Sequence, residues 1–140
     1  MVSLLNAVKR EQQTVAVNSN VLFSENRFAR GCSIRHDNGS GLVSLRAGVY
    51  RITFNGNVSA AAVAQVKAAI KLNGEALGGA IMTQQIAAAN NIVNVSSDVI
   101  VKIPCDTSST ISVGNIGTSD ILIDNANITV GRIADCCGGY

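Results

Sequence analysis

The single imidazole of the 140-residue chain, His36, is the first side chain to test for chemistry. A hydrolytic triad would require a nucleophile, such as a serine or Cys32, and an orienting acid such as Asp37 within hydrogen-bond reach of the ring. Adjacent residues of an extended chain point to opposite faces, so His36 and Asp37 are poorly placed to act together. We therefore expect His36 to be a loop histidine and the protein not to be an enzyme.

The sequence also gives little indication of a metal or cofactor site. The nine acidic residues are dispersed, and no two have a spacing that would form a carboxylate pair for glycoside hydrolysis. Asp98, Asp120 and Asp124 could give oxygen ligands to calcium in loops, although the spaced acidic loop of a calcium-binding hand is absent. No glycine run has the context of a phosphate cradle. We expect no cofactor and leave a calcium ion open.

The four cysteines are Cys32, Cys105 and the adjacent pair Cys136 and Cys137. Their spacing does not match a zinc site. Adjacent cysteines rarely bridge each other because the geometry is strained, so the pair is either reduced or links neighbouring subunits. A protein made inside a cell would keep these thiols reduced until release.

Composition limits the function classes further. Apolar residues make up 47% of the chain and charged residues 14%, so the chain folds and its surface is poor in charge. Aromatic residues are 4%, and the basic residues are dispersed along the chain, which disfavours nucleic acid as a partner. The sequence contains no run of about 18 apolar residues, so it predicts no membrane helix. The first ten residues place their charges after the apolar patch, the reverse of a secretory signal, so we expect no cleaved leader.

Hydrophobic alternation with a period of two predicts the elements that would position any site. It is clean in residues 50–54, 99–103 and 128–130, and similar short runs recur about every ten residues. Asn-Gly turn signals, including residues 55–57 and 73–74, separate these runs. The pattern predicts an all-β sandwich, jelly roll or barrel.

One alanine-rich segment, residues 59–71, fits two structures. Val63, Val66 and Ile70 have helical spacing after a possible cap at Ser59. Residues 66–72 also alternate and end at an Asn-Gly hairpin signal, so we predict a strand there.

Residues 42–54, with a Gly-x-Tyr turn at residues 48–50, resemble the marker of the tumour-necrosis-factor and complement globular-head superfamily. Residues 70–74 are similar to that superfamily's next strand and hairpin, and residues 111–115 and 128–134 to its closing strands. The resemblance covers about residues 14–134. It is closest to the bacterial branch, such as the heads of collagen-like exosporium glycoproteins, and to small jelly-roll proteins of bacteriophages, although no Gly-x-y repeat precedes this head.

This resemblance implies a ten-stranded antiparallel jelly-roll sandwich that forms a homotrimer, with one sheet of each subunit facing a threefold axis. The aliphatic excess agrees with a trimer, because an interface would cover apolar surface. The implied residues of the core or trimer-facing strands are Tyr50, Ile52, Phe54, Ile128 and Val130. We expect three segments: an N-terminal arm (1–13), the jelly roll (14–134) and a Gly/Cys-rich tail (135–140).

The expected function is that of a structural and adhesive virion protein, a trimeric knob that decorates a bacteriophage head or caps a fibre. In the arm, Leu4, Leu5 and Val8 form a short apolar stripe that suits docking on capsid or fibre proteins. Loops would contact a host-surface receptor or glycan, and we expect no nucleic acid or membrane partner. The alternative is a secreted or spore-surface ligand-binding module of bacteria, located on the spore or cell surface.

Overall fold

The computed structural model describes residues 3–136, which form nine β-strands and no helix. The first strands are β1 (Leu4–Lys9), β2 (Gln13–Val15), β3 (Glu25–Arg30) and β4 (Ile34–Arg35). They are followed by β5 (Val43–Ser59), β6 (Ala64–Leu72), β7 (Glu75–Ile86), β8 (Val93–Asn115) and β9 (Ile121–Ala134). Within this part of the chain, no helix has the length and apolar character of a membrane span.

The strands form an antiparallel sandwich, which confirms the predicted fold class. The front sheet contains β3, β1, β9, residues 48–58 of β5 and residues 93–103 of β8. In the back sheet, residues 43–46 of β5 and 108–115 of β8 join β4, β6 and β7, while β2 pairs with β9. Nine continuous strands replace the expected ten, because β5 and β8 each run through both sheets, β8 crossing near Asp106, whose φ is 64°.

Alternation explains why β5 lies at the centre of the sandwich. Tyr50, Ile52 and Phe54 have no exposed surface, whereas the intervening Arg51 is exposed and Thr53 is half-buried. Each inward side chain meets the aliphatic residues of the other sheet in one continuous core. Burying side chains of this size contributes about 1.5–3 kcal/mol each, so the period of two specifies which face of β5 is inside.

The alanine-rich segment is a strand, as predicted, because its partners bury one face of it. Val66, Ala68 and Ile70 of β6 are in the core, and β6 pairs with both β7 and β8. A helix would have turned part of this apolar face towards solvent, so tertiary burial overrides the helical propensity of alanine.

The two Asn-Gly signals have different outcomes. Asn73 and Gly74 have φ values of 52° and 87° and form the predicted two-residue hairpin between β6 and β7. The turn predicted at residues 55–57 is wrong, since these residues continue β5 through the front sheet. Gly56 is needed there for space, because a Cβ atom on it would lie 3.2 Å from Ile123 Cγ2.

The predicted N-terminal arm is also wrong. Residues 4–9 form β1, which pairs with β3 on one side and β9 on the other, and β2 begins at Gln13 rather than after the arm. Leu5 and Val8 are buried and Leu4 is half-buried, so this apolar stripe belongs to the fold and not to an external docking device. The stripe suggests a docking surface, but Ala7 is buried as well and alternates with Leu5 as in a strand.

The structure describes the first of the two adjacent cysteines. Cys136 forms a disulfide with Cys105 of the same chain, 31 residues away, so neither a reduced thiol nor an intersubunit link describes it. Cys105 lies in β8 next to the crossover between sheets, and Cys136 follows β9. Cys137 and the end of the predicted tail lie outside the described residues.

Candidate functional site

The structure places the five predicted strand residues inside one chain. None of them has exposed surface: Tyr50, Ile52, Phe54, Ile128 and Val130. They come from β5 and β9, where Ile52 pairs with Val130 and Phe54 with Ile128. A second copy of the chain could therefore touch these two strands only on their opposite side, away from the core.

That opposite side, called here the front face, consists of the front-sheet side chains that point away from the core. It is mostly polar, with Asn, Thr and Ser on neighbouring strands. Asn6 Nδ2 donates to Asn127 Oδ1 at 2.7 Å and to Thr129 Oγ1 at 3.1 Å, and Asn94 Nδ2 donates to Asn57 Oδ1 at 3.3 Å. These bonds tie β1, β9, β5 and β8 together and give the face a regular surface.

An ion pair and two isoleucines stand out from this polar surface. Arg51 Nε donates to both carboxylate oxygens of Asp98 at 3.1 Å, and Thr53 Oγ1 donates to Oδ1 at 3.3 Å. Hydrogen bonds from the Arg51 guanidinium hold the pKa of Asp98 below its ordinary value. Beside the pair, Ile100 is 61% exposed and Ile133 is 55% exposed, and both line the same shallow depression. We call these two side chains the isoleucine patch.

One end of the front sheet, called here the closed end, is filled by the protein's own groups. The Tyr50 hydroxyl donates to the Arg46 carbonyl at 2.7 Å, and burial raises the pKa of this hydroxyl. Arg132 Nη2 donates to the Ala47 carbonyl at 3.2 Å and lies 3.1 Å from Asp135 Oδ1. Gly48, with a φ of 151°, leaves the space that the Arg132 side chain occupies.

The opposite end, called here the open end, brings together basic residues of two separate strands. Lys9 ends β1, Arg10 follows it and Arg27 lies in β3, and all three line one cleft of about 720 Å³. In the sequence these cations look dispersed, because the proximity of Arg27 to Lys9 and Arg10 depends on the antiparallel pairing of β1 with β3. No linear pattern in the chain could have revealed the cluster.

Comparison with known proteins identifies the fold but no close relative. No family model and no curated protein sequence matches the chain. Murine APRIL is similar over 95% of this chain and 100% of its own, with a TM-score of 0.71 and 11% identity. The globular domain of the zebrafish complement 1qA protein has the same score and identity, with coverages of 95% and 98%. The fold is a tumour-necrosis-factor-like jelly roll.

A viral structure shares this jelly roll more distantly. The PRD1 vertex protein P5 matches with a TM-score of 0.52 and 15% identity over 94% of this chain and 96% of its own. At these identities the likeness establishes the fold alone.

His36 lies in the loop between β4 and β5, as expected, and its side chain is buried. Its Nε2 lies 2.8 Å from the Ser40 carbonyl oxygen, its Nδ1 faces Asn26 Oδ1, and its ring packs edge-on against Phe23. Neither ring nitrogen contacts Asp37, whose carboxylate lies 3.8 Å from Arg35 Nε. This arrangement gives the imidazole a packing role in linking β3 to the loop before β5.

The three candidate calcium ligands are also separated within the jelly roll. Asp98 binds Arg51, and Asp120 Oδ1 accepts a hydrogen bond from the Val17 amide at 3.1 Å. Among residues 3–136, no three His, Cys, Asp or Glu side chains gather as metal ligands.

Proposed function

We propose that this protein is a non-enzymatic, homotrimeric knob of a bacteriophage particle that decorates the head or caps a fibre. The observation that carries the proposal is the isoleucine patch on the front face of a tumour-necrosis-factor-like jelly roll. Two half-exposed isoleucines on a regular, rigid sheet are costly to leave in water and suit contact with another copy.

The trimer contact is proposed at the β8 side of the front face. Ile100 and Ile133 would form the apolar centre of this contact, and the Arg51–Asp98 pair would lie at its rim. Interfaces with an apolar centre and a polar rim exclude water from the centre and keep their charges partly solvated. Threefold symmetry would repeat the same contact around one axis.

A particle location is supported by two further observations. The PRD1 protein P5, which shares the fold, is a vertex protein. The Cys105–Cys136 disulfide suits a protein that works outside the reducing cytosol. Both observations also agree with the alternative, a secreted or spore-surface ligand-binding module, so the experiments must separate the two.

With the N-terminal arm excluded as a docking device, we propose that capsid or fibre proteins contact the closed end. Leu4 pairs with Gly131, so the first and last described strands reach the same end of the sheet. Ser33, which follows the exposed Cys32, donates its amide to Ser3 Oγ at 3.4 Å and so lies at this end as well. The open end would then face away from the particle, towards a host receptor or glycan.

Oligomeric state is the first test. Light scattering of the purified protein should give three times the mass of one chain at micromolar concentration. Ile100→Asp combined with Ile133→Asp should give a folded monomer, judged by its β-type circular dichroism. Ile92→Asp, at a residue that is 69% exposed before β8, is the matched control and should remain a trimer. A wild-type monomer would overturn the proposed assembly.

Location is the second test. Gold-labelled antibody to the knob should bind intact phage particles in electron microscopy, whereas labelling of spores or cell surfaces would favour the alternative. In a Cys137→Ser background, a bulky maleimide attached to Cys32 should block incorporation into particles without dissociating the trimer. Normal incorporation of the labelled protein would place the docking contact elsewhere.

A further inference from the structure

The cleft at the open end is not part of the proposed trimer contact. It lies where the ends of β1 and β3 meet β9 and β5, and its volume of about 720 Å³ is within the range of ligand sites. Its lining is almost entirely polar. The charged lining residues are Lys9, Arg10, Glu25 and Arg27, and four asparagine amides complete the polar lining.

Two β-bulges deliver side chains to this cleft. Between β1 and β3, Asn6 pairs with Phe28 and Ala7 with Asn26, so Arg27 is the extra residue. Between β5 and β9, Asn55 pairs with Asn127 and Asn57 with Asp124, so two residues of β9 lie opposite Gly56. One of these two is Asn125, which has a left-handed φ of 49°. Bulges re-aim side chains and are common beside functional sites.

Charge in the cleft is unbalanced. Arg10 Nε lies 3.7 Å from Glu25 Oε1, but within residues 3–136 neither Lys9 nor Arg27 forms an ion pair. Three cations against one carboxylate leave a net charge of +2 among the lining residues. A fixed excess of positive charge in a concave polar surface attracts an anion.

The amides add groups that can both donate and accept hydrogen bonds. Within the described chain, the side chains of Asn55 and Asn125 have no hydrogen-bond partner. Asn26 and Asn127, by contrast, are held in place by His36 and Asn6. The cleft therefore combines two positioned amides with two that are available to a ligand.

We propose that this cleft binds a carboxylated sugar unit of an acidic polysaccharide. Guanidinium groups match the planar carboxylate of a uronic acid, and unpaired amides match sugar hydroxyls, which also donate and accept. Among residues 3–136, no aromatic side chain lines the cleft, so these residues provide no stacking platform for nucleic-acid bases. The inference deepens the proposed adhesive function and rests on it for its biological role, while the binding itself is a property of the isolated protein.

The test is calorimetric titration of the purified, full-length protein with trigalacturonic acid. The carboxyl-reduced trisaccharide, inorganic phosphate and a single-stranded oligonucleotide serve as comparison probes at the same ionic strength. We expect trigalacturonic acid to bind and the neutral trisaccharide to bind at least about tenfold more weakly. Equal binding of the two trisaccharides, or phosphate binding as tight as that of the acidic sugar, would overturn the assignment to a carboxylated sugar. Tighter binding of the oligonucleotide would assign the cleft to nucleic acid instead.

Variants locate the binding. Lys9→Ser with Arg27→Ser should weaken trigalacturonic acid binding by roughly tenfold or more, since each removes a charge-assisted contact. The control, Arg30→Ser with Lys102→Ser, removes the same charge from exposed residues outside the cleft and should retain at least half of the affinity. Equal losses in both pairs would show non-specific charge attraction and would contradict the proposal.

Light scattering on the same samples separates this inference from the proposed function. A trimer that fails to bind trigalacturonic acid contradicts the sugar site and leaves the knob proposal intact. A monomer that binds the sugar through Lys9 and Arg27 supports the site and contradicts the trimer. A loss of affinity in a serine variant counts as a lost contact only if the melting temperature of that variant is unchanged.

Discussion

The closed and open ends of the front sheet use the same backbone device for different purposes. Each end interrupts the strand pairing with two shifts of register. At the closed end, the protein fills the irregular space itself, with the Tyr50 hydroxyl, the Arg132 guanidinium and a disulfide. At the open end, the bulges leave Arg27 and Asn125 beside solvent. The comparison indicates that a bulge whose polar groups are satisfied internally stabilises a fold, whereas one left unsatisfied is available for binding.

The largest effects should come from emptying the core beneath each end. Tyr50→Ala and Phe54→Ala should each lower the free energy of unfolding by about 3–5 kcal/mol, because both side chains are fully buried. Urea denaturation at one fixed protein concentration measures both, since the stability of an oligomer depends on concentration. A loss under about 1 kcal/mol at Tyr50 would show that the closed end is not a stabilising element.

The disulfide should give the next largest effect and should distinguish the ends. Replacing Cys105 and Cys136 by serine removes a cross-link between residues 31 positions apart. This change should lower the free energy of unfolding by about 2–4 kcal/mol. Sugar binding at the open end should be unchanged in this variant, which tests whether the two ends are independent. Parallel losses of stability and affinity would mean that the closed end also holds the cleft in shape.

Alanine substitutions at two glycines compare a rigid neighbouring side chain with a flexible one. Gly48→Ala should cost about 2–3 kcal/mol, because φ is 151° and the new Cβ atom would lie 2.6 Å from Arg132 Nε. Gly114→Ala is the comparison, since its Cβ atom would lie 2.6 Å from the far end of the Lys71 side chain and 3.0 Å from Asn20 Oδ1. The lysine can move away, so the thermal unfolding of this variant should change much less. Similar losses in both variants would contradict the role of Arg132 as a fixed filler.

The smallest predicted effect is on the pH dependence of unfolding. Burial raises the pKa of Tyr50 above its ordinary value of 10.0, so the unfolded chain loses this proton at a lower pH than the folded protein does. The stability contributed by the neutral hydroxyl is therefore fully present below pH 10 and is lost as pH rises through the folded-state pKa.

Tyr50→Phe should cost about 1 kcal/mol at neutral pH, through the lost bond to the Arg46 carbonyl, and should flatten the alkaline loss of stability. Urea midpoints measured from neutral pH to above pH 10 check both effects. An unchanged slope in the Tyr50 variant would contradict the assignment.

The strand pattern was predictable wherever burial has a simple period. Alternation in residues 50–54 correctly indicated the inward face of β5, and the strand at β6 followed from alternation despite its alanines. The two Asn-Gly signals show the limit of such reasoning. The same dipeptide forms a hairpin at Asn73 but continues a strand at Asn55, because only the second is held between β8 and β9.

The sequence by itself determined the class of fold, the aliphatic core and the hairpin between β6 and β7, since these depend on local propensity and on a period of two. Only the tertiary structure decided that residues 4–9 form a core strand, that Cys136 pairs with Cys105, and that Lys9 and Arg27 share a cleft. Each of these features depends on which distant strands pair and in which register. That choice is made by the packing of the whole sandwich, and no short stretch of sequence encodes it.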